Sequence, residues 1–251
     1  MKISIITTCF NREVTIRDCI VSLLSQDYPD IEYIIVDGAS TDRSLSIINE
    51  YKDRIATIIS EPDKGMYEAL NKGIRVATGE VIGLLHSDDF LYATDTISHI
   101  AQALENSQAD FIYGDGLFVE SDHTDKVVRN WISGYYTKRK VRRGWLPLHP
   151  TCYIRKDVME KWGLYDESFR IAADSEFLDR YLYEADLKVC YLPKYIVRMR
   201  MGGLSTDPQK MKLKWAEDLR LYRQHGFHAY WALGCKIASK IPQFVSAKLK
   251  K

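Results

Sequence analysis

The stretch Val81-Ile82-Gly83-Leu84-Leu85-His86-Ser87-Asp88-Asp89 decides how the rest of the chain is read. It begins as a short apolar run and stops at two adjacent carboxylates. A run this short and this apolar has the character of a parallel-sheet strand covered on both faces. In open α/β sheets ligands bind in the crevice outside the carboxyl ends of the strands, which places Asp88 and Asp89 at a ligand. Neighbouring carboxylates repel one another, and a hard divalent cation is the usual remedy. The stretch therefore predicts a metal site facing a phosphate-bearing substrate.

Upstream, Ile3 to Thr8, Ile31 to Val36 and Ile55 to Ser60 read as strands. They alternate with helical spacing at Ile16 to Leu24, Ser44 to Tyr51 and Tyr67 to Ala77. Downstream, Thr94 to Leu104 reads as a helix and Asp110 to Val119 as a strand. Such alternation argues for βαβ units around a mainly parallel, Rossmann-like sheet flanked by helices. Trp131 to Trp145 is rich in aromatic and basic residues and has the composition of a substrate-facing loop or lid. His149 to Ile154 returns to strand, and Asp157 to Trp162 and Asp174 to Glu184 are helical. Val189 to Leu192 and Tyr195 to Met199 read as two more strands. From Pro208 on the pattern is helical and basic, with a second helix from about Ala229 to Lys240.

The 251 residues form one large domain, or a domain with a tail, and can bury a sizeable core without disulfides. The net charge of +1 hides an asymmetry. Residues 209–251 carry ten Lys or Arg against two acidic side chains, a balance of +8, and residues 1–208 carry −7. A basic tail on an acidic body predicts a surface partner for the tail. Trp215, Leu219, Tyr222, Phe227, Tyr230, Trp231, Leu233, Ile237, Ile241 and Phe244 lie among its cations. That is the composition of an interfacial amphipathic helix or, equally, of a helix packed on the core. The five cysteines are scattered, with no Cys-x-x-Cys pair, which fits a reducing compartment. With no signal-like or membrane-spanning apolar run, the expected location is the cytoplasm, including the inner face of the cell membrane. No nucleic-acid partner is expected.

A lone Asp after a strand is often a turn former or helix cap, a reading that weighs evenly with function for Asp37 and Asp42. Asp174 opens a helix after small residues, where it is either a cap or a general base on a rigid element. His86 and His149 divide evenly between satisfied strand-end polar groups and proton carriers. The cations from Lys138 to Arg143 are usually a solvated face, but their aromatic neighbours favour contact with an anion.

The chain carries Thr7-Thr8-Cys-Phe-Asn11-Arg12, Val36-Asp37-Gly-Ala-Ser-Thr-Asp42 and Asp63-Lys-Gly65-Met-Tyr67-Glu-Ala-Leu-Asn71-Lys72-Gly73. Ala77-Thr-Gly79-Glu80 then leads into Leu-His-Ser-Asp88-Asp89. His149-Pro-Thr, Gly163-Leu-Tyr-Asp166-Glu167-Ser-Phe169 and Ala-Ala-Asp174-Ser-Glu176 follow in order. Each motif is weak alone; the ordered set resembles the family 2 glycosyltransferases of the GT-A fold that build bacterial surface polysaccharides. The resemblance spans roughly residues 1–200. It implies a GT-A domain over 1–208, with a nucleotide-sugar half of about 1–120 and an acceptor half of about 121–208, then a basic amphipathic helical tail over 209–251.

The resemblance also implies roles. Thr8, Arg12, Asp37, Asp63, Asn71, Lys72 and Asp88 would line the pocket of a nucleotide-sugar, in the first instance a UDP-sugar. Asp88 and Asp89 would hold Mg²⁺ or Mn²⁺, and Asp174 would be the catalytic base. His149, Arg142 and Arg143 would touch the acceptor or the diphosphate. One base and one metal imply direct displacement, hence an inverting hexosyl- or N-acetylhexosaminyltransferase acting on a saccharide or lipid-linked acceptor. Two departures stand out: His86 where many members have a leading carboxylate, and Ala173 where an acid often precedes the base. His86 keeps open a non-catalytic sugar- or nucleotide-binding module, against which Asp174 argues. A nucleotidyltransferase would show a glycine in the loop from Thr7 to Arg12, and a dehydrogenase a Gly-x-Gly-x-x-Gly after a strand; neither is present.

Overall fold

Ile3 and Ile5 enter one hydrophobic core and Ile6 the other, while Tyr33 and Ile35 part from Ile34 and Val36 in the same way. This two-residue alternation, apolar on both sides, creates a sheet that must be covered on both faces. The computed structural model describes residues 1–202 and 211–239. Its first half runs β1 (Ile3–Cys9), α1 (Ile16–Leu24), β2 (Ile31–Asp37), α2 (Ser44–Asn49), β3 (Thr57–Ser60), α3 (Met66–Val76) and β4 (Val81–Leu84). The four strands pair in parallel in the order β3-β2-β1-β4. The carboxyl ends of β1, β2 and β4 therefore open on one edge, with Thr8, Asp37 and, just beyond β4, Asp88 there.

The second half comprises β5 (Phe90–Leu91), α4 (Thr96–Ser107), β6 (Phe111–Val119), β7 (Val127–Trp131), α5 (Lys138–Val141), β8 (Tyr153–Arg155) and α6 (Lys156–Trp162). α7 (Ala173–Asp179) continues into a π-helical turn and is followed by β9 (Val189–Arg200), α8 (Met211–Gln224) and α9 (Ala229–Ala238). These strands extend the sheet through β8, antiparallel to both β4 and β6, and then through β9 and β5. Parallel pairing thus dominates the first half and mixed pairing the second.

Three segments differ from the sequence reading. His149–Thr151 is a 3₁₀ turn instead of strand, because Pro150 has no N–H for a ladder. The two strands expected between Val189 and Met199 are one strand, with register shifts opposite Tyr113 to Gly116 where Pro193 interrupts pairing. The segment from Trp131 to Trp145 is not a simple loop: its start belongs to β7 and its basic run forms α5.

Helices α8 and α9 pack on the domain. Leu221, Tyr222, Phe227, Ala229 and Ala232 are buried in the same core as Phe177, Leu178 and Tyr181 of α7 and its extension. The approach is close: a Cβ at Gly144, whose φ is +77°, would lie 2.5 Å from the carbonyl oxygen of Ala232. Of the apolar residues expected on a membrane-facing tail, Tyr222 and Phe227 are buried and Leu219 and Leu233 half-buried, whereas Trp215, Tyr230, Trp231 and Ile237 are exposed. Ile241 and Phe244 lie outside the described residues. Among the described residues no helix is long and apolar enough to cross a membrane.

Candidate active site

A cavity of about 1080 Å³ opens at the carboxyl edge of β1 and β4 and reaches under α7 to α8 and α9. That volume sits at the upper end of what ligand sites offer and suits a large substrate or two together. Its wall brings together Thr8, Arg12, Asp63, Asp88, Asp89, His149 and Asp174 of the residues singled out by sequence.

The loops after β1 and β2 are interlocked beneath this wall. Asn11, at φ +52°, accepts the Thr41 N–H on its Oδ1 at 2.8 Å, and its own N–H donates to Ser40 Oγ at 2.9 Å. The N–H groups of Arg12 and Glu13 donate to Ser44 Oγ and Asp42 Oδ2 at 2.7 and 3.1 Å. Asp42 and Ser44 thus tie the two loops together. Asp37 is fully buried and absent from the cavity wall; Ser40 N–H and Ser60 Oγ donate to its Oδ2 at 3.1 and 2.7 Å. Gly38 leaves room for the Asp63 carboxylate, since a Cβ there would lie 2.5 Å from Asp63 Oδ2. Burial raises the Asp63 carboxyl, against the Gly65 N–H that lowers it.

Asn71 and Lys72 do not line the cavity. The Asn71 amide bridges α3 to the later loop, donating to the Tyr165 carbonyl at 2.9 Å and Glu167 Oε1 at 2.8 Å and accepting the Tyr165 N–H at 3.0 Å. Lys72 pairs with Glu61 at 2.9 Å and Glu68 at 3.3 Å. Both residues, which the resemblance placed at the nucleotide, are thus engaged with partners inside the protein in this structure. Arg142 and Arg143 are exposed and also off the wall, on the solvated side after α5.

Asp88 and Asp89 are not equivalent. Asp88 is half-buried on the wall, whereas Asp89 is 2% exposed and accepts the Arg200 N–H on Oδ1 at 3.1 Å. Burial first, then the charge of Asp88, pushes the Asp89 carboxyl well above the usual range. Its Oδ2 is buried with no hydrogen-bond partner. An unsatisfied carboxylate oxygen beside a second carboxylate fits a cation. Among the described residues no group of three or more His, Cys, Asp or Glu forms a ready cage. Two carboxylates are nevertheless the usual protein share of a Mg²⁺ site completed by substrate phosphates and water. The pair therefore fits Mg²⁺ or Mn²⁺ arriving with a phosphorylated ligand.

Asp174 stands in the first turn of α7, half-buried on the cavity wall, and its Oδ1 accepts the Ser175 N–H at 2.7 Å. The helix is seated on a ladder of stacked rings: Tyr67 on Tyr165 at 5.8 Å, Tyr165 on Phe177 at 4.3 Å, and Phe177 on Tyr181 at 4.1 Å. Glu176 points elsewhere, pairing with Arg180 at 2.8 Å. His86 feels the charges of both Asp88 and Asp174, but burial outweighs them and lowers its pKa. His149, 6.1 Å from His86 between ring centres, is pushed down to about 4 by burial, partly offset by Asp174. Its Nε2 lies 2.7 Å from the Tyr165 hydroxyl. Two imidazoles held toward the neutral form thus line the same wall as the carboxylates.

Trp131 and Trp145, the ends of the segment expected to face substrate, line the wall; Arg129 on β7, Arg200, and Lys214 and Lys236 on α8 and α9 line it without having been singled out by sequence. Arg129 lies 4.4 Å over the Trp131 ring, and burial lowers it to about 10. Burial also lowers Lys214, against the pull of Asp174. The run Lys-Met-Lys-Leu-Lys-Trp held the one available signal, since Lys214 shares a helix face with Asp218 and Leu221.

The glycosyl transferase family 2 model matches residues 4–162. The "Uncharacterized glycosyltransferase EpsJ" of Bacillus subtilis is 31% identical over 89% of this chain and 67% of its own length. A "PGL/p-HBAD biosynthesis glycosyltransferase" of Mycobacterium bovis is 28% identical over 80% of this chain and 78% of its own. Among solved structures, TarS 1-349 of S. aureus in complex with UDP superposes with a TM-score of 0.68 at 20% identity, over 88% of this chain and 64% of that one. The mannosyltransferase PcManGT of Pyrobaculum calidifontis, in complex with GDP-Man and Mn²⁺, gives 0.63 at 16% identity over 94% and 73%. The present chain thus spans just under two thirds of the TarS fragment. With the GT-A fold and these sequence matches together, the chain belongs to glycosyl transferase family 2.

Proposed function

We propose that the cavity transfers a sugar from a nucleotide-sugar, in the first instance a UDP-sugar, to a hydroxyl of a saccharide or lipid-linked saccharide, with inversion at the anomeric carbon. One observation carries this reading: the half-buried Asp88 and Asp174, far apart in sequence, line a single cavity at the carboxyl edge of the sheet. Solved neighbours support the donor class, since TarS has been seen with UDP and UDP-GlcNAc and PcManGT with GDP-Man.

The chemistry needs both carboxylates. An acceptor hydroxyl is a poor nucleophile near neutral pH, so Asp174 takes its proton as the new bond forms. Asp88, with Asp89 behind it, would hold Mg²⁺ or Mn²⁺, whose charge offsets that developing on the departing diphosphate. Arg129 and Lys214 add fixed positive charge to the same wall. His86 and His149, held toward the neutral form by burial, line the same wall without adding a positive charge that would oppose a bound cation.

The setting we infer is the inner face of the cell membrane, with the exposed face of α9 toward anionic lipid. Tyr230, Trp231 and Ile237 lie on that face, and the basic balance of residues 209–251 matches an anionic surface.

Transfer is tested by incubating the protein with UDP-sugars, Mn²⁺ and a panel of saccharide acceptors, and reading the product anomer by NMR. An inverted linkage is expected. A retained anomeric configuration would defeat the single-displacement mechanism.

A further inference from the structure

Residues 170–172 have no regular structure, yet they deliver the chain to Asp174. Their three consecutive N–H groups converge on one side chain. Glu217 of α8 accepts the Arg170 N–H on Oε1 at 2.8 Å, and those of Ile171 and Ala172 on Oε2, each at 2.9 Å. Glu217 is 7% exposed and makes no ion pair among the described residues. Packing a helix against a loop does not require a buried carboxylate; an apolar side chain would do so without the desolvation cost. Charge-assisted bonds to three adjacent amides instead fix the loop in one conformation.

The same segment is held from the opposite side. The Tyr67 hydroxyl of α3 donates to the Ile171 carbonyl at 2.7 Å. On the far side of Asp174, Lys236 of α9 donates to Ser175 Oγ at 3.1 Å and to Asp218 Oδ1 at 2.9 Å. Asp174 itself takes its hydrogen bond from the adjacent Ser175 N–H. Where its carboxylate points is therefore set by its backbone, and the backbone is set by α8 and α9. We propose that Glu217 is the positioning residue of the base, and that the α8–α9 pair is a working part of the active site; this rests on reading Asp174 as the base. Both helices lie beyond the residues matched by the family model.

The test uses the full chain carrying Glu217→Gln or Glu217→Ala. Gln keeps the shape and one acceptor oxygen but turns an NH₂ toward at least one N–H; Ala removes the acceptor altogether. Amide hydrogen exchange is followed in the peptide spanning residues 170–176, and transfer kinetics are measured alongside. In the Gln variant, exchange at 170–172 is expected to quicken at least tenfold while peptides of β1 and β2 exchange as in the wild type. The kcat is expected to fall roughly 10–100-fold with donor KM within twofold, and the Ala variant to fall further. A KM effect without a kcat effect overturns the proposal, as does unchanged exchange at 170–172 or a Gln variant with kcat within twofold of wild type. If the wild-type chain transfers no sugar from any donor, it is the proposed function that fails, and the exchange measurement still decides whether Glu217 holds the segment.

Discussion

Arg200 holds Asp89 by one bond and its neighbour by another: the Arg200 N–H donates to Asp89 Oδ1 at 3.1 Å, and the Arg200 guanidinium donates to the Asp88 carbonyl at 2.8 Å. The clasp ties the loop after β4 to the end of β9 and leaves the Asp88 carboxylate to the cavity. It separates two residues that sequence treats as a pair. Asp88→Ala is expected to leave stability within about 0.5 kcal/mol and to abolish any Mn²⁺-dependent gain in UDP affinity. Asp89→Ala is expected to cost about 2 kcal/mol by stranding the Arg200 N–H. Thermal unfolding of the two variants checks this, and equal losses of stability would contradict the division of labour.

Asp174→Asn keeps the acceptor oxygen that receives the Ser175 N–H and removes the proton-accepting charge. Transfer is expected to fall by about 10²–10⁴ with UDP affinity unchanged. Steady-state kinetics and UDP titration on one preparation read both quantities. Lost UDP binding would move Asp174 from base to donor contact.

His149 stays neutral in the folded protein until the pH nears 4, whereas the unfolded chain protonates it near its ordinary value of 6.5. Between these values the unfolded state binds the extra proton, so stability rises with pH across that window and is lost as pH falls through it. The full effect is on the order of 3 kcal/mol. Urea unfolding at pH 7 and pH 4.5 should show a steeper loss in the wild type than in His149→Gln, and parallel losses would refute the buried neutral imidazole.

Asn71 supplies a structural control. Asn71→Ala leaves the Tyr165 N–H and carbonyl without their partner, at a cost of about 3 kcal/mol, while the folded protein should bind UDP as before. A selective loss of UDP binding without loss of stability would restore Asn71 to the nucleotide pocket.

For the membrane setting, cutting the chain at Pro208 would also remove Glu217 and core residues such as Tyr222, so a point variant is the cleaner probe. Trp231 and Ile237 are 65% and 44% exposed, and replacing both with Ser should leave folding intact. Sedimentation with vesicles containing anionic lipid is expected to drop several-fold. Equal pelleting of variant and wild type would remove this face as the anchor.

The strand alternation at Ile3–Ile6 and Tyr33–Val36, and the sudden carboxylates after Leu85, are local signals, and they carried the parallel half of the fold and its edge. Asn71, Lys72 and Asp42 sit inside motif-like runs and also make intramolecular bonds across the fold, because a motif records which residues recur together without saying what each one touches. Arg129, Lys214 and Lys236 escaped notice because they reach the cavity from elements far apart in sequence, through packing that no local pattern encodes. Glu217 is the sharpest case: an acid in a basic helix looks like a solvated exception until the loop it receives is seen.

Metal-assisted nucleotide binding at Asp88 is decided by calorimetric titration of UDP, GDP and TDP into the protein, with and without Mn²⁺. Binding of UDP that strengthens with Mn²⁺ in the wild type, and not in Asp88→Ala, is the predicted result. No binding of any nucleotide under either condition would contradict it.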